Sequence, residues 1–206
     1  VGKGVHAVTD RSKFEGFVSA AGEGDPFGIE EIVWANKFKV EFPAATVNSA
    51  VHGCAFQTAS LGDVQSGEPE VLVLARSAES SAAVWDRRRR ALKGFLSIVD
   101  ADETHQVKQM IMYTPEKVVT LTRGARGWNV DVVRNPLGVV SVAPLPYQYE
   151  LSRPLGHSRI TRAAMGYSDS ALRTIVRAEV SAEFYSAPEY FLFGADVSAF
   201  IGDDKW

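Results

Sequence analysis

The chain has 206 residues, 46% of them hydrophobic and 23% charged, a globular balance that excludes disorder over most of its length. With 22 Lys and Arg against 25 Asp and Glu its formal charge is −3, so it lacks the basic excess of a protein that blankets phosphates. One cysteine, Cys54, excludes an internal disulfide framework and a multi-cysteine zinc site, and fits a reducing compartment. No apolar run approaches the roughly 18 residues of a membrane span. The N-terminus, Val1 to His6, has no initiator Met and no apolar signal core, so the sequence is read as a piece of a longer chain.

In chain order, the first fifty residues predict helical pieces joined by loops. Gly22 to Gly28 is a breaker cluster, after which Pro26 and Glu30-Glu31 suit a helix start, with Ile29, Ile32, Val33 and Phe38 at helical spacing. Pro43 is expected in the first turn of the next helix, which leads through Ala44 to His52 and stops at Gly53. From Cys54 the pattern turns to β. Cys54 to Ala59 is a strand candidate, and Val71 to Leu74 is expected to be a strand buried on both faces. Four further strands, Lys93–Val99, Val107–Tyr113, Lys117–Arg123 and Trp128–Val133, are separated by turn chemistry and predict an antiparallel meander. Val119 and Leu121 make one face of the third of these more apolar than the face bearing Thr120 and Thr122. Residues 134–157 are expected to be a loop stiffened by Pro136, Pro144, Pro146 and Pro154. A helix then runs to near Ala187, with Ser168 as its N-cap and Asp169 in its first turn. Helices, then a sheet, then a helical tail make an α+β order with a long C-terminal helix.

The chemistry is sparse. Gly2-Lys3-Gly4 and Gly22-Glu23-Gly24 lack the strand and helix that a phosphate-cradling loop needs. His52 stands two residues from Cys54, a spacing that would suit a nucleophile and its base, but a lone cysteine opening an apolar strand reads as core. The four histidines show no helical metal spacing, and Asp100, Asp102 and Glu103 read as a solvated turn, not a cation loop, so no metal or cofactor is expected. Arg87-Arg88-Arg89-Arg90 is either a solvated hairpin bend or a contact for an acidic or phosphate-bearing partner. The tail is electrically lopsided: five arginines and Asp169 give +4 between Arg153 and Arg177, whereas six acids and Lys205 give −5 between Ala178 and Trp206. Arg173 and Arg177 are i, i+4 neighbours, a like-charge pair that a nearby acidic surface would relieve.

Several short motifs occur together and in order. They are Gly53-Cys54-Ala55-Phe56, Tyr113-Thr114-Pro115-Glu116, Gly127-Trp128 and Leu137-Gly138 before Pro144-Leu145. Arg153-Pro154-Leu155-Gly156-His157-Ser158-Arg159-Ile160, Ala182 to Pro188, and Gly194-Ala195-Asp196 follow. From about Phe14 onward this series resembles the portal proteins of tailed double-stranded DNA bacteriophages and prophages, most clearly at the Gly156-x-Ser158 turn before the long helix.

The resemblance implies a non-enzymatic structural subunit of a homo-oligomeric, dodecamer-like ring at one capsid vertex, through which DNA is packaged and ejected. It divides the chain into a helical part of the wing (1–53), an antiparallel β part of the wing (54–150), and the Gly-x-Ser turn with a long helix leading toward stem and clip (151–206). Implied partners are copies of itself, the terminase large subunit, capsid and head–tail connector proteins, and non-specifically held double-stranded DNA, with no membrane. The implied location is the virion, and the host cytoplasm during assembly. Gly156, Ser158 and Arg159 would form the turn into the stem helix, and Arg173 and Arg177 would meet Glu179 or Glu183 of the next subunit. Two departures stand out. The family is commonly about twice this long, and Val140-Ser141-Val142 stands where a Pro is expected after Leu-Gly. The rival readings are a head–tail connector protein that binds only proteins, and a hydrolase or transferase using Cys54 with His52 or His157.

Overall fold

A computed structural model describes residues 2–18, 24, 25 and 27–186, which divide into two compact units at the boundary between Thr161 and Arg162. The first unit opens with helices α1 (Gly2–Thr9), α2 (Ile29–Ala35) and α3 (Phe38–His52). Asp25 caps α2: its carboxylate accepts from the backbone N–H of Ile29 at 2.9 Å and of Glu30 at 2.6 Å. The role expected of Pro26 lies outside the described residues. Pro43 is not in a first turn. It is the sixth residue of α3, because the helix begins at Phe38 after Lys37 turns left-handed at φ 51°. The proline denies the Lys39 carbonyl its helical donor, and Lys39 is exposed, so water can take that place. Gly53 ends α3 in the left-handed conformation at φ 95°, its N–H donating to the Ser49 carbonyl at 2.8 Å.

Eight strands follow: β1 (Cys54–Leu61), β2 (Val71–Ser77), β3 (Ser81–Asp86), β4 (Ala91–Ala101), β5 (Val107–Tyr113), β6 (Lys117–Gly124), β7 (Gly127–Arg134) and β8 (Val142–Pro146). They form two antiparallel sheets, one of order β2-β1-β8 and a five-stranded meander of order β3-β4-β5-β6-β7. The meander is as expected from Lys93 onward, with β3 added ahead of it. The expected loop over residues 134–157 instead contains β8, which pairs Phe56 with Pro144 and Cys54 with Pro146. A strand with two prolines is tolerated here because β8 is an edge, with one side of its backbone free of ladder bonds. Val71 to Leu74 is not buried on both faces. Every residue of β2 is half-buried, since that strand is the opposite edge of the same sheet.

The core lies between the sheets. Phe56 of β1 meets Phe95 of β4 at 4.8 Å between ring centroids, and Phe95 meets Tyr113 of β5 at 5.9 Å. Cys54, Leu92, Val140 and Val142 complete the buried cluster, with Ile111 and Val118 packed against it. Helix α3 packs on β1, β2 and β8. Buried Asn36 stitches the helices to the sheet: its amide donates to the Ile32 and Val71 carbonyls and its Oδ1 accepts from Val73 N–H, all within 2.9 Å.

The second unit carries helix α4 (Arg162–Ser186), 25 residues or about 37 Å long. Ser168 is not its N-cap. The helix starts six residues earlier, and the Ser168 hydroxyl donates to the Ala164 carbonyl at 2.9 Å, the back-bond of a serine inside a helix.

Candidate functional site

The Gly-x-Ser turn is a clasp around the α3–β1 junction. Gly156 takes φ +70°, and a Cβ built there would stand 2.3 Å from the Tyr147 carbonyl oxygen and 2.5 Å from that of Gly53, so only glycine fits. His157 N–H then donates to the Tyr147 carbonyl at 3.0 Å, Tyr147 N–H to the Gly53 carbonyl at 2.8 Å, and Arg159 N–H to the Ala50 carbonyl at 2.8 Å. The Ser158 hydroxyl donates to the Val51 carbonyl and accepts from Ile160 N–H. The bonds to Ala50 and Val51 satisfy carbonyls that the last turn of α3 leaves without helical donors. The Arg159 guanidinium donates to the Tyr147 hydroxyl at 2.8 Å, and His157 Nδ1, buried, lies 3.8 Å from Glu150, beyond hydrogen-bond reach. Gly156, Ser158 and Arg159 thus act together, fixing the chain that leads toward α4. Tyr147 is the member that the sequence did not single out; it is brought in by β8.

On α4, Asp169, Arg173 and Arg177 share one shallow groove with Gly166, Ser170 and Thr174. Asp169 precedes Arg173 by four residues, the orientation that favours an acid–base pair and offsets part of the Arg173–Arg177 repulsion. At 3.6 residues per turn, Glu179 and Glu183 fall between about 80° and 160° round the helix from these arginines, and none of the four pairs has i, i+3 or i, i+4 spacing. Neither arginine forms an ion pair within 4 Å among the described residues, and all four charged side chains are exposed.

Arg87 to Arg90 are the exposed tip of the β3–β4 hairpin. Asp86 shapes the turn, its Oδ1 accepting from Arg88 N–H at 2.9 Å and Arg89 N–H at 3.1 Å, which holds its carboxyl below the ordinary range. Arg90 closes the turn at φ 52°. At the other end of β4, Asp102 accepts from Thr104 and Gln106 in a similar turn, with Glu103 exposed beside it. Among the described residues no group of three metal-binding side chains forms.

Cys54 and the histidines do not assemble into a nucleophile and base. The thiol is buried and donates to the Ala55 carbonyl at 3.2 Å, and burial pushes it up to about 11, outweighing the Leu145 N–H that favours the thiolate. At neutral pH roughly one such thiol in ten thousand is ionised. His52 lies 3.6 Å from Glu79 and His157 faces Glu150, so each histidine has a carboxylate neighbour.

Compared with characterised proteins, the chain is 29% identical over 199 residues to the portal protein of Mycobacterium phage D29, covering 92% of this chain. The portal protein of Mycobacterium phage L5 is 28% identical over 198 residues, with the same coverage. This chain is a relative of phage portal proteins. It spans 40% of the length of each of these two portal proteins. No protein-family profile matches it. The α+β architecture, with N-terminal helices, antiparallel sheets and a long C-terminal helix, agrees with a portal segment. Among the described residues no helix is long and apolar enough to cross a membrane.

Proposed function

We propose that the chain is a structural segment of a ring-forming portal subunit, in which the two-sheet unit is the wing and α4 leads toward the stem beside a DNA channel. The observation that carries this reading is the similarity to two portal proteins along 92% of the chain, clasp and α4 included. The distribution of charge supports it. A channel through which DNA slides gains nothing from neutralising phosphates, since each neutralised phosphate adds affinity, and this chain carries −3 overall. On α4 the arginine groove and the glutamate pair occupy different faces. A heterologous contact between copies needs that arrangement, in which Arg173 and Arg177 of one subunit meet Glu179 or Glu183 of the next. The Arg87–Arg90 tip is, in the same reading, a contact for an acidic partner outside the ring. Terminase, capsid and connector proteins would be the partners, and the virion the location.

Light scattering tests the reading, with the longer parent protein measured beside this chain. A mass near twelve subunits for the parent is expected. A parent that stays monomeric across assembly conditions overturns the ring.

A further inference from the structure

The five-stranded sheet has one face in the core and one face on which, among the described residues, none of the helices of the first unit mainly packs. Register assigns the two. Phe95, Tyr113 and Val118 are successive cross-strand partners and face the buried cluster. Their neighbours one residue along form a second row, Leu96–Met112–Val119–Val132, on the opposite face, and Ile98–Met110–Leu121–Val130 forms a third beside it. Two parallel rows of four large apolar side chains therefore lie opposite the buried cluster; Val119 is itself buried at 6% exposure, Leu96, Ile98, Met110 and Leu121 are half-buried, and Met112, Val130 and Val132 are exposed. Helices α2 and α3 pack on the other sheet, and α1 packs on α3. Exposure rises toward β7, where Val130 is 59% and Val132 54% accessible, and Trp128 extends the patch. Among the described residues β7 is also the free edge of the sheet, and it pairs eight consecutive residues with β6 without a bulge.

Contiguous apolar surface of this kind marks an interaction site, and a long unbulged edge strand offers a template beside it. The border of the patch states the charge of what covers it. On the same face, β6 ends in Lys117 and Arg123 and β7 ends in Arg134, all exposed, and neither strand carries a carboxylate there. The complement is an apolar segment set with acids. Residues 187–206 have that chemistry: Tyr190-Phe191-Leu192-Phe193, Val197, Phe200 and Ile201 are interspersed with Glu189, Asp196, Asp203 and Asp204, against one base, Lys205.

We propose that the outer face of the β4–β7 sheet, bordered by Lys117, Arg123 and Arg134, is a docking surface for residues 187–206 of a second copy of this chain. The surface stands on the register alone; the choice of a second copy rests on the ring reading above.

Cysteine trapping tests it, since the native Cys54 is buried. One tagged copy carries Val132→Cys and a differently tagged copy carries Phe193→Cys. The mixed disulfide should form at least about five-fold faster than with Val133→Cys, which lies on the same strand but faces the other way, and rising salt should slow it. A labelled peptide of residues 187–206, added to the unmodified chain, should bind by anisotropy and lose at least about ten-fold in affinity when Arg123→Glu and Arg134→Glu are combined. Equal trapping at residues 132 and 133 overturns the proposal, as does a cross-link that forms only within one chain carrying both cysteines. Ring mass is read in parallel. A ring without the cross-link removes this docking alone, and the cross-link without a ring removes the ring reading alone.

Discussion

Gly156, Ser158 and Cys54 each serve the structure of the first unit. Gly156 sits where a Cβ would collide with two carbonyl oxygens, at a φ that costs other residues about 1–3 kcal/mol even without the collision. Gly156→Ala should therefore destabilise the first unit by at least about 2 kcal/mol in chemical denaturation. Ser158→Ala should cost less, about 1–2 kcal/mol, by leaving the Val51 carbonyl and Ile160 N–H without their partner. Glycine at residue 156 is needed for space, so no side chain should rescue it. Cys54 makes the opposite point about reactivity. Its thiol is raised from an ordinary 9.0 to about 11 in the fold, so the folded chain holds that proton more tightly than the unfolded chain. The stability linked to it is complete below pH 9.0 and is lost as pH rises through about 11. Modification by a disulfide reagent at pH 7 should be slow in the native chain and rapid in denaturant. Fast native labelling would reopen a reactive cysteine.

At the scale of elements, the β3–β4 hairpin separates shape from charge. Asp86 and the left-handed Arg90 make the turn, while all four arginines carry the charge. Arg90→Gly should keep or raise stability by up to about 1 kcal/mol, because glycine enters that conformation without a Cβ penalty. Asp86→Ala should instead speed amide exchange at Arg88 and Arg89 while leaving β5 to β7 unchanged. The meander was legible because its turns are short and chemically marked, from Thr114-Pro115-Glu116 to Gly124–Gly127. β8 was not, since Pro144 and Pro146 argue against a strand unless the strand is known to be an edge, and that is a property of the sheet. Ser168 misled for a related reason: a serine followed by an aspartate is a helix-start signal only if nothing helical precedes it. On β6 the more apolar face holds Val119, buried at 6% exposure, and half-buried Leu121, while half-buried Val118 on the other face packs against the inter-sheet cluster. Alternation identifies two faces; only the partner sheet decides which is inside. Gly156, Ser158 and Arg159 stood out through the resemblance as a turn before the long helix, whereas their hold on the α3–β1 junction and the part of Tyr147, which enters through β8, carried no sequence signal.

For the whole molecule the question is whether charge order along the chain is a rule of assembly. On α4 the arginines end at Arg177 and the glutamates begin at Glu179, and no arginine of the pair Arg173 and Arg177 is an i, i+3 or i, i+4 neighbour of Glu179 or Glu183. A surface helix with such order is tolerated in water, where each exposed pair is worth no more than about 1 kcal/mol. Repeated around a closed ring, however, the same contact is made once per subunit, and a small term per contact becomes a large one per ring. Reversing one side, Arg173→Glu with Arg177→Glu, should therefore reduce ring assembly of the longer parent protein sharply at low salt and less at high salt. Adding Glu179→Arg and Glu183→Arg to the same chain restores complementarity with its sign exchanged, and should recover assembly. Helix loss would not be rescued in this way, so circular dichroism unchanged across the set, together with that recovery, identifies a contact between copies. Assembly indifferent to the first pair of substitutions removes the contact, and leaves the charge order of α4 as a feature of a solvated helix.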